Sequence, residues 1–554
     1  MTNLSYVSGV GNEPLLYKTV GAVLEDAAAR WGAREALIVP HQNIRWSYRQ
    51  LDQAADRLAA GFVHLGLAPG DRIGIWAPNR YEWVVTQFAS AKAGLILVTI
   101  NPAYRTSELE YALNKVGCKA LVLAPSFKTG DYAAMLEQIR PKVPMLRAAI
   151  LTNDALTGDA PRAGFLLYKD VEASGTAADL DRVRQLRPQL QPEDAINIQF
   201  TSGTTGLPKG ATLSHHNIVN NGYFVAQRMT FSENDRLCIP VPLYHCFGMV
   251  MGVLGCVTHG AAMVFPGEAF EPKSVLEALE AERCTALYGV PTMFIAELEH
   301  PEFKRYDLRQ LRTGVMAGAP CPVEIMKRVI SDMHMKEVTI AYGMTETSPV
   351  SFQSCRDDSI ERRVSTVGTI HPHLEVKIID AEGRVTPRGE RGELLTRGYS
   401  VMHGYWDDED KSKQAIDPQG WMHTGDLATL DDAGYCNIVG RVKDLIIRGG
   451  ENISPREIEE FLYRHPKIQD VQVFGVPDRR YGEVVCAWIK LKTGERCDAE
   501  TIRTFCREQI AHYKVPQHIR FVEQFPMTVT GKIQKYLMRQ EMSQALAVAE
   551  EKTA

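Results

Sequence analysis

Apolar positions along this chain follow two periods, and the switching between them predicts its elements. Val20 to Trp31 carries apolar side chains at helical spacing, Arg72 to Trp76 (RIGIW) is a short apolar run of strand length, and Tyr81 to Ala93 returns to the helical period. This βα alternation, repeated between about residues 20 and 200, predicts an α/β architecture with layered, buried sheets. It continues further on, with strands expected at Ala262 to Phe265, Ala286 to Tyr288 and Thr339 to Ala341, and helices at Lys273 to Glu282 and Pro322 to Met333. From Val364 the texture changes. Short alternating runs such as Glu375 to Ile379 and Glu393 to Thr396 are parted by Gly, Pro and Asp, which predicts a small β subdomain. Beyond Gly440-Arg441-Val442-Lys443-Asp444, helices at Pro455 to Arg464 and Ala499 to Ile510 and strands at Val471 to Val476 and Val484 to Leu491 predict a compact α+β unit. The expected domains are therefore 1–442 and 443–554, with no internal repeat and a frayed helix after Gln540.

Composition narrows the class. At 554 residues the chain exceeds the size at which one hydrophobic core keeps growing. Hydrophobic residues at 45% and charged residues at 23% describe an ordinary globular protein, and 62 Lys+Arg against 67 Asp+Glu give no electrostatic case for nucleic acid. The most apolar long segment, Met249 to Phe265, contains His259 and three glycines, falls short of a membrane span and reads as the buried wall of a hydrophobic pocket. Eleven scattered cysteines without a CxxC pair read as reduced thiols rather than a zinc site, and the N-terminus shows neither a secretory nor a transit pattern. A cytoplasmic location is the expectation, and a homo-oligomer is compatible with all of this.

The run Thr201 to Gly210 (TSGTTGLPKG) follows a strand-like segment and concentrates the chemistry of phosphate binding. Gly203, Gly206 and Gly210 let backbone approach an anion, Thr201, Ser202, Thr204 and Thr205 offer hydroxyls, and Lys209 offers a cation. A Walker loop is the obvious rival, but it needs Ser or Thr directly after its lysine, and here Lys209 precedes Gly210-Ala211. Further along, Ala341-Tyr342-Gly343-Met344-Thr345-Glu346-Thr347 combines an aromatic ring, a permissive glycine, a hydroxyl and a carboxylate. A Thr-Glu pair alone is as much a helix cap as a metal site.

These strings, in this order, resemble the adenylate-forming superfamily of acyl-CoA synthetases, luciferases and nonribosomal peptide adenylation domains, over nearly the whole chain. The resemblance implies that residues 201 to 206 (Thr201, Ser202, Gly203, Thr204, Thr205 and Gly206) with Lys209 grip the ATP β- and γ-phosphates. It implies that Gly318, Ala319 and Pro320 with Ala341, Tyr342 and Gly343 enclose adenine, and that Thr345 meets the α-phosphate. Glu346 and Thr201 are the implied oxygen ligands of Mg2+. In WMHTGD, Asp426 is the implied ribose ligand, and Arg441 in GRVKD its complement. Lys532, in TGKIQK, is the implied catalytic cation, offsetting repulsion between the attacking carboxylate and the α-phosphate. His245, in PLYHCFG, stands where the family places a gate between acyl pocket and pantetheine channel.

So compared, the chain is expected to form an acyl-adenylate from a carboxylic acid and Mg-ATP, then to pass the acyl group to CoA. By the same resemblance the small domain is mobile: it turns about Lys443, exchanging the Lys532 loop for a segment in which Gly449 and Gly450 line a pantetheine tunnel. Apolar residues around Tyr244 to Leu254 and Tyr288 to Thr292 favour an apolar acid. NIQFTSGTTGLPKGATLSHHNIVNN, PLYHC, YGVPTMF and GRVKDLIIRGGENISP resemble the medium-chain acyl-CoA synthetase group in particular. An enzyme that loads a carrier protein, and a nucleotide-binding regulator without catalysis, stand as alternatives.

Overall fold

In the computed structural model the described residues are 3–152, 162–201, 208–319, 321–441, 444–448, 451–478, 480–507, 509–527 and 533–551, with backbone alone for 451–452 and 547–551. The chain forms two compact units, one of residues 7–376 and 396–423, the other of 1–6, 377–395 and 424–554. These units divide the chain inside the small β subdomain.

The larger unit holds two mixed sheets, as the α/β pattern predicts. In one, the strands Leu166–Leu167, Ala148–Leu151, Ala120–Leu123, Arg72–Trp76, Ile96–Thr99 and Ala195–Thr201 run parallel, and Lys209–Ser214 and Gly404–Tyr405 close the edge antiparallel. The other has a parallel centre of Glu337–Gly343, Thr313–Ala317, Ala286–Gly289, Arg236–Cys238, Ala262–Val264 and Glu35–Val39, flanked by antiparallel strands. Both sheets and the helices Val20–Trp31, Tyr48–His64, Tyr81–Lys92 and His215–Arg228 feed one apolar core. Along Glu35–Val39, Ala36, Leu37 and Val39 join that core, while Ile38 joins a second one under Pro272–Ala281, Pro291–Leu298 and Val323–Asp332.

The apolar stretch from Met249 is buried, as expected, but its backbone is unusual. Phe247–Leu254 is a π-helix, every residue of it buried, and it runs on into the helix Gly255–His259. Side chains catch two of its carbonyls: Gln87 Nε2 donates to Met249 at 3.2 Å and the Tyr288 hydroxyl to Met251 at 3.3 Å.

Met422–Leu430, in the smaller unit from Thr424 on, pairs antiparallel with Cys436–Arg441. Farther along, Ile468–Asp478 and Gly482–Leu491 form a long hairpin, with Ile446–Arg448 and His518–Phe521 beside it and the helices Pro455–Leu462 and Ala499–Cys506 packed on its apolar side. The helix Lys535–Glu551 is longer than the expected tail. In both units the expected helices and strands are found within a few residues of their sequence bounds.

Candidate functional site

The strand Ala195–Thr201 leads into the glycine-rich run, and the chain returns along Lys209–Ser214, so that Thr201 and Lys209 face each other across the ladder. The Thr201 hydroxyl donates to the Lys209 carbonyl at 3.4 Å. The returning strand ends in a capping box: the Ser214 hydroxyl accepts from the Asn217 N–H at 3.1 Å, which starts the helix His215–Arg228. Two asparagines on that helix anchor the rest of the site. Asn217 donates to the carbonyls of Tyr399 and Val401, and Asn221 exchanges hydrogen bonds of 2.8 and 3.0 Å with the Val350 backbone.

Thr345 and Glu346 lie in a short 3-10 turn between the strands Glu337–Gly343 and Val350–Gln353, and both are buried. Gly343 is needed at the entry to the turn, because a Cβ there would stand 1.7 Å from the Pro349 carbonyl oxygen. One strand over, Ala317 pairs with Ala341, which brings Gly318 and Ala319 out at the same carboxyl edge of the sheet as Tyr342. This is where open α/β sheets bind ligands. Tyr342 is half-buried, its ring 6.3 Å from Phe352.

The two clusters meet through a residue that the sequence reading did not single out. The Tyr405 hydroxyl donates to Glu346 Oε1 at 2.9 Å and accepts from Lys209 Nζ at 3.0 Å. Its phenol is held well above the usual tyrosine range, first by burial and then by the Glu346 charge. A two-residue strand has no period to detect, so only the Gly-Tyr-Trp string itself could have pointed here.

Beneath the turn, the Cys246 thiol donates to Gln199 Oε1 at 3.1 Å and contacts Thr345. Burial, with the nearby Glu346 charge, pushes it up to about 12 despite the Gln199 hydrogen bond. Gln199 in turn donates to Asn197 at 2.8 Å, a polar ladder inside an otherwise apolar strand. His245, next to Cys246, is half-buried, and its Nδ1 accepts from the Phe247 N–H at 3.2 Å at the start of the π-helix.

In the smaller unit Asp426 and Arg441 are cross-strand partners, with Arg441 Nε donating to Asp426 Oδ1 at 2.8 Å. Asp426 is 5% exposed. Ser202, Gly203, Thr204, Thr205, Gly206, Pro320, Lys443, Gly449, Gly450 and Lys532 lie outside the described residues.

Glu346 is buried and accepts from the Tyr405 hydroxyl, and a buried carboxylate of this kind suits a bound cation. Its surroundings of hydroxyls, one ammonium and an aromatic face suit a magnesium polyphosphate nucleotide. The other acidic cluster, Glu25, Asp52 and Asp56, already has its cation: Lys92 Nζ lies 3.5, 2.6 and 2.5 Å from those carboxylates.

Two family models match the chain, the AMP-binding enzyme over 24–406 and the AMP-binding enzyme C-terminal domain over 457–532. A zebrafish (Danio rerio) protein named medium-chain acyl-CoA ligase ACSF2, mitochondrial, is 46% identical over 98% of this chain and 91% of its own length. The putative acyl-CoA synthetase YngI of Bacillus subtilis is 46% identical over 95% of this chain and 97% of its own length. Among solved structures, the anthranilate CoA ligase AuaEII in complex with anthranoyl-AMP superposes with a TM-score of 0.87 at 28% identity, covering 97% of this chain and 99% of that one.

Proposed function

The chain belongs to the AMP-binding enzyme family, and on that premise we propose that it joins an apolar, medium-chain carboxylic acid to CoA through an acyl-adenylate. It is an AMP-forming acid:CoA ligase that uses ATP, Mg2+ and CoA. The observation that carries the site assignment is the buried Glu346 carboxylate, joined through Tyr405 to the Lys209 ammonium at the carboxyl edge of the sheet. Carrier-protein loading is not favoured by relatives of this kind.

In the first step a carboxylate oxygen of the acid attacks the α-phosphorus of ATP, and pyrophosphate leaves. In the second, the CoA sulfur attacks the acyl carbon, and AMP leaves. We assign Tyr342 to the adenine face, Thr345 to the α-phosphate, Lys209 and the glycine-rich run to the outer phosphates, and Asp426, oriented by Arg441, to the ribose hydroxyls. Glu346, with Thr201, would hold Mg2+, which when bound offsets polyphosphate charge. Lys532 supplies the cation for adenylation, and Lys443 the pivot that brings in Gly449 and Gly450 for thioester formation, so that 443–554 acts as the mobile domain. His245 gates the acyl pocket. The Cys246 thiol, held protonated by burial, does not compete with CoA for the adenylate.

The medium-chain assignment rests on the ACSF2 name together with the apolar, fully buried run from Phe247 to Leu254. Its test is kcat/KM across saturated acids from C4 to C16. Each methylene buried in such a pocket contributes about four-fold, so specificity should climb steeply to a maximum near C8 to C10 and then fall. A flat profile, or a maximum at C16, would overturn it. No helix among the described residues is long and apolar enough to cross a membrane. All eleven cysteines are free, which suits a reducing compartment. We propose the cytoplasm, although the vertebrate relatives are named mitochondrial.

A further inference from the structure

The geometry points to Gln199 as a positioning residue for adenylation: through the Cys246 thiol it fixes the corner where the start of the π-helix meets the turn that carries Thr345. The inference rests on the ligase reading and deepens it, by adding a residue that acts through its neighbours.

Gln199, Asn197 and Cys246 are 2%, 1% and 0% exposed, so their polar atoms have no water to turn to instead. Their hydrogen bonds form a chain whose direction is set at the sheet. Asn197 Nδ2 donates to the Leu97 carbonyl of the neighbouring strand at 2.9 Å, which leaves its Oδ1 to accept from Gln199 Nε2 at 2.8 Å. The second Gln199 amide hydrogen goes to Met249 Sδ at 3.2 Å, inside the π-helix. A turned-over amide would set its oxygen against the Asn197 oxygen and the Met249 sulfur. Gln199 Oε1 is therefore held toward Cys246, and accepts the thiol hydrogen at 3.1 Å. The Thr345 hydroxyl is hydrogen-bonded to the same sulfur.

The backbone at this corner has little room to give. Asn79 donates to the Val241 carbonyl at 2.9 Å and accepts from the Leu243 N–H at 2.8 Å. The His245 carbonyl accepts from the N–H groups of Gly248 and Met249 at 3.0 and 3.1 Å, and a Cβ at Gly248 would stand 2.5 Å from the Pro242 carbonyl oxygen. Gln199 supplies the sideways tie, from the strand that leads into the glycine-rich run to the first turn of the apolar wall. With Thr345 assigned to the α-phosphate and the π-helix to the acyl wall, this tie sets the distance between the attacking carboxylate and the atom it attacks. A misplacement of about 1 Å at such a point costs up to about a hundred-fold in rate.

The experiment compares Cys246→Ser, Cys246→Ala, Gln199→Met and the double variant Cys246→Ala with Gln199→Met, in the full chain. It reads acid-dependent pyrophosphate release with the parent's best acid from C4 to C16. Serine keeps a donor for Gln199 and an acceptor for Thr345, whereas alanine keeps neither. The expected result is an adenylation kcat within about two-fold of the parent for Cys246→Ser but lowered about ten-fold for Cys246→Ala and for Gln199→Met, with the KM for ATP within about two-fold throughout. The double variant should lose no more than either single change, because both cut the same tie. Should Gln199→Met not fold, the comparison of Ser with Ala at 246 decides. Cys246→Ser falling as far as Cys246→Ala, or further, overturns the inference, since that is the order for a thiol that merely fills an apolar space. So do a Cys246→Ala kcat near the parent's, multiplied losses in the double variant, or a rise in the KM for ATP that matches the fall in kcat. A parent chain that releases pyrophosphate without acid, or with none of these acids, overturns the ligase reading and the inference with it.

Discussion

At the scale of single residues, burial decides what each charge can do. Glu346→Gln keeps an acceptor for the Tyr405 hydroxyl while removing the negative charge, so the variant should fold normally yet lose adenylation kcat/KM by roughly a hundred-fold or more, read as acid-dependent pyrophosphate release. His215 behaves oppositely. It is fully buried, its Nδ1 accepts from the Val20 N–H at 3.0 Å, and burial lowers its pKa to about 3. Because the folded value lies below the unfolded 6.5, the unfolded chain binds the extra proton, so this contribution is present above pH 6.5 and is lost as pH falls toward 3. Tm should therefore drop between pH 7 and pH 5, and His215→Asn, which retains an acceptor but does not titrate, should flatten that slope. Much of the candidate site was legible at this scale, since Lys209, Thr345, Glu346, Asp426 and Arg441, the residues proposed for it, stand in chemically dense strings. Tyr405, Cys246 and Gln199 were not, because each is a single polar group whose meaning arises only from neighbours distant in sequence, 59 positions away for the Tyr405–Glu346 bond and 47 for Cys246–Gln199.

At the scale of elements, tight backbone geometry sets the turn that carries Thr345 and Glu346. Adding a Cβ at Gly343 would force Pro349 away, and with it the turn that carries Thr345 and Glu346. Gly343→Ala should lower stability by about 1–3 kcal/mol, read by denaturant unfolding, and should reduce adenylation more than it reduces conversion of supplied acyl-AMP. Sequence periodicity found the long elements well: Val20–Trp31 and Arg72–Trp76 match the pattern to the residue. It had no purchase on Phe247–Leu254, which is apolar all round and therefore shows no face, nor on Gly404–Tyr405, which is too short to show a period. The strand Tyr6–Ser8 was missed because its partner, Leu374–Ile379, lies far along the chain.

At the scale of the whole molecule, the residues proposed for the chemistry belong to two compact units: Lys209, Thr345, Tyr405 and Glu346 to one, Asp426 and Arg441 to the other. If Lys532 serves only the first step, Lys532→Ala should slow adenylation by about a hundred- to a thousand-fold while conversion of supplied acyl-AMP and CoA to thioester proceeds near the parent rate. Equal loss of both half-reactions would remove the two-pose assignment. The central claim, ATP-dependent acid:CoA ligation, is tested most directly by a product balance: octanoate, ATP, Mg2+ and CoA are incubated with the full chain, and AMP and octanoyl-CoA are counted together. The predicted result is AMP and thioester in equal amounts, both absent when the acid is omitted. AMP released without thioester, or no AMP with octanoate or any other acid from C4 to C16, would contradict it.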